Sequence, residues 1–138
     1  MKTSHNSYLR RNALTLEARL RYRISMMKAH ARVRGISWNL TDDYIIQLWR
    51  KQSGRCAYSG KRMYLAVGRG WSWRNHCLSI DRVDNKKPYE PGNVVLCRYS
   101  ENNHKNRQNI FSAEYMETYP ERIANLLSIL PELNAVAA

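Results

Sequence analysis

The apolar residues follow helical spacing near both ends of the chain and strand spacing between them. The first helical stretch covers residues 8–34, in one or two pieces, and Gly35 is expected to end it. Its apolar positions recur at intervals of three, four and seven: Leu9, Leu16, Leu20, Ile24 and Met27. A second helix is predicted between Thr41, an N-cap residue followed by two aspartates, and Gly54.

The middle of the chain changes to short apolar runs that are typical of strands. Residues 77–83 and 94–98 are the two runs, and the Asp84–Asn93 connection is rich in Asn, Lys, Pro and Gly. Turn-forming residues between two such runs predict an antiparallel β-hairpin.

The remaining predicted elements are helical. We expect one helix at about 100–108 and another capped by Ser112, followed by an interruption at Pro120. A final amphipathic helix then carries Ile123, Leu126, Leu127 and Leu130. In a chain of 138 residues this order of elements predicts a small α+β protein with one structural domain.

The charge indicates a nucleic-acid partner. The formal net charge is +12, and residues 1–36 hold nine Lys and Arg against one acid, Glu17. Clustered base on a small domain is the usual electrostatic signature of phosphate binding. The phosphate-contact candidates on the first helix are Arg19, Arg21, Arg23, Lys28, Arg32 and Arg34. An RNA-binding or ribosome-associated protein is the alternative from charge alone.

The sequence also bears on the compartment. It contains no apolar run of 18 residues, so no membrane span is expected, and its N-terminus lacks the apolar region of a signal peptide. Three cysteines without an export signal indicate reduced thiols in the cytoplasm, here of a bacterial or phage-infected cell.

Polar residues at the ends of the hairpin suggest a metal site. Asp81 stands near the end of an apolar strand, and Asn102 lies at the start of the following helix. One carboxylate and one amide oxygen suit Mg²⁺, which keeps most of its water ligands. Asn103 is the alternative to Asn102, and Lys105, one turn further on, can reach a phosphate.

Three motifs resemble the HNH (ββα-metal) endonucleases. They read Ser-Ile-Asp-Arg-Val-Asp from Ser79, Tyr-x-Pro-Gly-Asn-Val from Tyr89 and Asn-x-x-Lys-Asn from Asn102. They are similar to the phage and restriction branch that reads Asp-Arg where other members read Asp-His. The resemblance covers residues 36–118. It implies a hairpin-helix nuclease core (37–118), and the charge and the apolar pattern add a basic helical segment (1–36) and a C-terminal helix and tail (119–138) within one structural domain.

The resemblance implies roles for individual residues. Asp81 and Asn102 would bind Mg²⁺ or Mn²⁺, and Asn93 would hold the hairpin geometry. Arg82 takes the place of the general-base histidine, but it stays protonated and can only clamp a phosphate. Apart from the resemblance, Lys105 and His104 are candidates for contact with DNA phosphates.

The base that activates water is left open. Tyr58, in Cys56-Ala57-Tyr58-Ser59, matches a tyrosine that replaces the histidine in one restriction endonuclease of this branch. His76, His104 and metal-bound hydroxide are the alternatives.

Two Cys-x-x-Cys pairs that bind zinc in many relatives read Cys56-x-x-Ser59 and Cys97-x-x-Ser100 in this chain, so no structural zinc is expected.

The motifs and the charge together predict a metal-dependent endonuclease of double-stranded DNA, of restriction or phage and homing type. A monomer would more naturally nick, and a homodimer would cut both strands. The alternative is a catalytically decayed HNH module that only binds DNA.

Overall fold

The structure is a computed structural model, and it describes residues 15–65, 74–105 and 117–130, with the side chains of residues 103–105 left out. These segments form four helices and one two-stranded antiparallel sheet, which confirms the predicted α+β class. The helices are α1 (Leu16–Val33), α2 (Asp42–Lys51), α3 (Tyr99–Lys105) and α4 (Pro120–Ile129), and the strands are β1 (Leu78–Arg82) and β2 (Val94–Arg98). The predictions for residues 8–14 and 106–108, and for a helix after Ser112, lie outside the described residues.

Helix α1 begins at Leu16, directly after a side-chain cap at Thr15. The Thr15 side chain accepts a hydrogen bond from Ala18 N at 3.2 Å, and Thr15 itself has extended backbone angles. At the other end Gly35 has a φ of +71°. Its N–H donates to Arg32 O, and the next N–H donates to Ala31 O, which is the hydrogen-bond pattern of a Schellman cap. The predicted stop at Gly35 is therefore confirmed.

Helix α2 forms where its N-terminal signals predicted it. The Thr41 side chain accepts a hydrogen bond from Tyr44 N at 3.1 Å, and Asp42 and Asp43 occupy the first turn. The helix ends at Lys51, three residues before Gly54. Pro120 begins α4 as part of its first turn, where a missing N–H needs no partner.

The hairpin agrees with the predicted strands to within one residue. β1 and β2 pair in register from Leu78 opposite Arg98 to Arg82 opposite Val94, so Asp81 lies opposite Val95. Helix α3 follows β2 without a connecting loop and contacts both strands. Strand, strand and helix thus form one continuous ββα unit.

One hydrophobic cluster holds these elements together. It includes buried residues from α1, α2, both strands and α4, with Ile24, Ile45, Leu78, Leu96 and Leu126 among them. None of the helices in the described segments is both long enough and apolar enough to cross a membrane.

Candidate metal and catalytic site

Asp81 and Ser79 project from the same face of the hairpin. Successive side chains of a strand alternate between faces, so residues two apart share one. Asp81 is only 2% exposed, and Ser79 is partly buried. This face, which also carries Val95 and Cys97 of β2, is where Asn102 and Tyr58 approach β1.

Helix α3 brings Asn102 to this face. Asn102 Nδ2 donates to Ser79 Oγ at 3.0 Å and to Ile80 O at 3.1 Å. The Ile80 carbonyl can only accept, so the orientation of the amide is determined, with its nitrogen toward β1. Both N–H groups are used, and no donor among the described residues reaches Asn102 Oδ1. An amide oxygen is thereby presented beside the peptide that joins Ile80 to Asp81.

Tyr58 reaches Asp81 from a separate turn. The turn is closed by Gly60 N donating to Cys56 O at 2.9 Å, and Ala57 N donates to Leu96 O of β2 at 3.0 Å. Tyr58 is 1% exposed, and its hydroxyl donates to Oδ2 of Asp81. The sequence-based candidates Asp81, Asn102 and Tyr58 therefore converge on one face of the hairpin.

Asn93 is committed to the hairpin connection. Its Oδ1 accepts from Asp84 N at 2.9 Å, while its Nδ2 donates to Asp84 O at 3.1 Å and Pro88 O at 2.9 Å. These bonds tie the two ends of the connection together directly after Asp81 and Arg82. Asn93 thus shapes the loop without touching the Asp81 carboxylate itself.

Arg82 is directed toward the same connection. Its Nη1 donates to Asn85 O at 2.9 Å and Lys87 O at 3.1 Å, and its guanidinium lies 5.3 Å from the centre of the Tyr89 ring. Tyr89 in turn packs against Trp38, with ring centres 5.1 Å apart. The arginine predicted to clamp phosphate is therefore held in place by loop carbonyls and an aromatic pair.

His76 lies at the opposite end of the hairpin from Asp81. It precedes β1, and its Nδ1 is 2.8 Å from Nη1 of Arg98, the last residue of β2. Arginine only donates, so Nδ1 must accept, and a neutral ring then carries its proton on Nε2. In this arrangement the lone pair on Nδ1 accepts the Arg98 hydrogen bond, so it is not available to take a proton from water.

Two of the basic residues of α1, Arg21 and Arg23, are engaged by other groups of the fold. Arg21 is paired with Glu17 at 2.9 Å, Asp43 at 3.1 Å and Asp42 at 3.5 Å, and its bonds to Glu17 and Asp43 raise its pKa. Arg23 donates from Nε and Nη2 to Leu78 O at 3.1 and 2.9 Å, and burial lowers its pKa.

Arg21 and Arg23 are therefore engaged in contacts within the fold. Arg19 is partly buried, and its Nε has no hydrogen-bond partner in the described part of the chain. Lys28, Arg32 and Arg34 are exposed and make no ion pair with a described acid. His104 and Lys105 belong to α3, but their side chains lie outside the description.

The three cysteines are buried thiols that form no disulfide with one another. Cys56 Sγ accepts from Arg98 N at 3.3 Å, Ser59 Oγ accepts from Lys61 N at 3.3 Å, and Ser100 Oγ donates to Asn75 O at 3.1 Å. Burial raises the pKa of Cys77. No group of three or more His, Cys, Asp or Glu side chains is arranged for a metal ion within the described segments.

Two further residues of the site were missed by sequence reasoning. Ser79 orients the Asn102 amide, and its position two residues before Asp81 in a strand was the available signal. Gln52 is 7% exposed and bonds both backbone groups of Leu96, with Leu96 N donating to its Oε1 at 3.0 Å and its Nε2 donating to Leu96 O at 2.8 Å. No local sequence pattern identifies a glutamine whose side-chain amide pairs with the backbone of β2, as a neighbouring strand would.

Comparison of the chain with family models, with curated proteins and with solved structures finds no significant match. The functional argument therefore depends on the motifs and on the geometry described above.

Proposed function

We propose that this protein is a divalent-metal-dependent endonuclease of the HNH type that acts on double-stranded DNA. The observation that carries the proposal is the convergence of Asp81, Asn102 and Tyr58 on one face of a hairpin that runs directly into a helix. The net charge of +12 supports a polyanionic substrate.

The residues present fit a hard cation. The Asp81 carboxylate and the Asn102 Oδ1 are both oxygen donors, and one or two protein ligands are what Mg²⁺ takes when it keeps its waters. Mn²⁺ accepts the same donors. When bound, the ion would stabilise the charge that develops on the scissile phosphate and the leaving oxygen.

The chain's own residues would then orient the substrate and its water. Ser79 and the Ile80 carbonyl hold the Asn102 amide, and the Tyr58 hydroxyl holds the Asp81 carboxylate in one rotamer. Arg82 would meet phosphate from the loop that Asn93 braces. For the base, Tyr58 is supported by its contact with Asp81 and His76 is disfavoured by its bond to Arg98, while His104 stays an alternative.

The first test is cleavage of supercoiled plasmid with and without Mg²⁺. Wild type should convert it to open-circle or linear DNA, and the product also separates a nicking monomer from a dimer that cuts both strands. Asp81→Asn keeps an acceptor for Tyr58 but removes the charge, and we expect a loss of about 10²-fold or more. Asp84→Asn is the matched control because it makes the same change in the turn, where Asp84 Oδ1 accepts from Lys86 N.

A second readout tests the metal site without activity. Mg²⁺ at tenfold its dissociation constant should stabilise wild type by about 1.4 kcal/mol in thermal melts. Asp81→Asn should lose this stabilisation, and Asp84→Asn should keep it. Plasmid cleavage that persists in Asp81→Asn would remove Asp81 from the metal site.

One observation favours a non-catalytic DNA-binding module instead. Asp81 is 2% exposed, and the Tyr58 hydroxyl already occupies one of its oxygens. A decayed site would show no cleavage and no Mg²⁺-dependent stabilisation while the protein still retards DNA in a gel. In either case a restriction or phage role would place the protein in the cytoplasm, where its cysteines would stay reduced.

A further inference from the structure

A group of cations that the candidate site does not use lies at the open end of the hairpin. We name it the hairpin-end cluster, and it consists of Arg55, Lys61, Arg62, Arg74 and Arg98. Arg98 ends β2 opposite Leu78, and its Nε donates to Arg62 O at 2.8 Å. Arg55 and Arg62 face each other across an antiparallel bridge.

Arg74 joins this group through the backbone. Its carbonyl accepts from Cys77 N at 3.1 Å, directly before β1. The backbone therefore brings three separate segments of the chain to one place.

Aromatic rings hold two of these guanidinium groups. Arg62 lies over Tyr64 at 5.6 Å from the ring centre, and Arg74 lies over Tyr99 at 4.6 Å. Both arginines are exposed. A planar guanidinium stacked on a ring turns its N–H edge outward, so it is partly preorganised for a phosphate.

Four of the five cations of the hairpin-end cluster have no acidic partner in the described segments. No ion pair joins Arg55, Lys61, Arg62 or Arg98 to any acid in the described segments, whereas Arg21 on α1 has three acidic partners. Arg74 is also crowded by a cation outside the cluster: burial, and after it the positive charge of Arg74, lower the pKa of Arg23. Such crowding opposes folding unless a polyanion uses it.

We propose that the hairpin-end cluster binds the phosphate backbone of double-stranded DNA beside the cleavage site. This inference rests on the proposed function and assigns it a substrate-binding surface. Leu78 and Asp81 are three residues apart in β1, which corresponds to about 10 Å along the strand. In duplex DNA that distance spans about three base-pair steps.

The test measures binding without catalysis. The affinity for a fluorescein-labelled 20-base-pair DNA duplex is followed by anisotropy in EDTA, between 50 and 200 mM salt. Each phosphate contact contributes about 0.9 to the slope of log K against log salt. The double variant Arg62→Gln/Arg74→Gln should therefore lower the slope by about 1.8, so that its affinity falls about twelvefold less than that of wild type over this range.

Two single variants help to separate the loss of a phosphate contact from a loss of folding. Lys61→Gln changes an exposed lysine and should lower the slope by about 0.9, while Arg50→Gln, at an exposed arginine of α2, should leave it unchanged. Thermal melts exclude unfolding as the cause. A double variant that is folded and keeps the wild-type slope would overturn the proposal.

The remaining outcomes separate this inference from the proposed function. Wild type that cleaves plasmid with Mg²⁺ while the cluster variants bind DNA normally would leave the nuclease standing and remove the surface. Wild type that neither binds nor cleaves DNA overturns both. The same assay is repeated with an RNA duplex of the same sequence at matched salt. If the protein binds this RNA as tightly as the DNA, or more tightly, DNA is not the partner of this surface.

Discussion

Replacement of Tyr58 by phenylalanine is the most direct test of the buried contact in the candidate site. Tyr58 and Asp81 are 1% and 2% exposed, and the Tyr58 hydroxyl donates to Oδ2 of Asp81. Phenylalanine keeps the ring and removes one oxygen. A buried carboxylate that loses a charge-assisted hydrogen bond costs about 1.5–3 kcal/mol. In a chain of this size that corresponds to a fall in melting temperature of about 5–15 °C.

The assay is a thermal melt at pH 7 in EDTA, with Tyr99→Phe as the matched control. The Tyr99 hydroxyl makes no hydrogen bond to the described residues, so its removal should change the free energy of unfolding by less than about 0.5 kcal/mol. A Tyr58→Phe protein as stable as this control would refute the reasoning, because the contact would then contribute nothing to the buried carboxylate.

The same variant separates two roles of Tyr58 in the proposed nuclease. If Tyr58 is the base, cleavage should fall by about 10²–10⁴-fold while Mg²⁺ still stabilises the protein. If it only positions Asp81, cleavage and stabilisation by Mg²⁺ should weaken together. Comparison of cleavage rates with melts at matched Mg²⁺ concentrations distinguishes the two.

Two other changes test the supports of the hairpin. Asn93→Ala should cost about 2–4 kcal/mol in urea denaturation, because three hydrogen bonds of the connection are lost, and it should slow cleavage as well; a cost below about 1 kcal/mol would contradict this. Gln52→Met keeps the side-chain volume but leaves a strand N–H of β2 without its acceptor, so we expect about 2–4 kcal/mol, whereas the exposed Gln47→Met should be neutral. Equal stabilities of the two glutamine variants would exclude Gln52 as a substitute for a neighbouring strand.

Much of the fold could be predicted from short-range patterns in the sequence. Thr41 caps α2, Gly35 ends α1, and the bounds of the two strands agree with the apolar runs to within one residue. Such features depend on bonds between residues a few positions apart and on the alternation of side chains along a strand, so a sequence displays them directly. The position at which α1 begins, after the Thr15 cap, was not predicted.

The sequence by itself determined which residues could take part in the site, and only the tertiary structure decided how each is used. Arg21 and Arg23 are both basic residues of one helix, yet the first is surrounded by acids from α1 and α2 and the second is fixed to a carbonyl of β1. The contacts of Tyr58 with Asp81 and of Asn102 with Ser79 each span 23 residues. Contacts at that separation form because the core packs a turn and a helix against one hairpin, and no local pattern records which side chains that packing brings within hydrogen-bond distance.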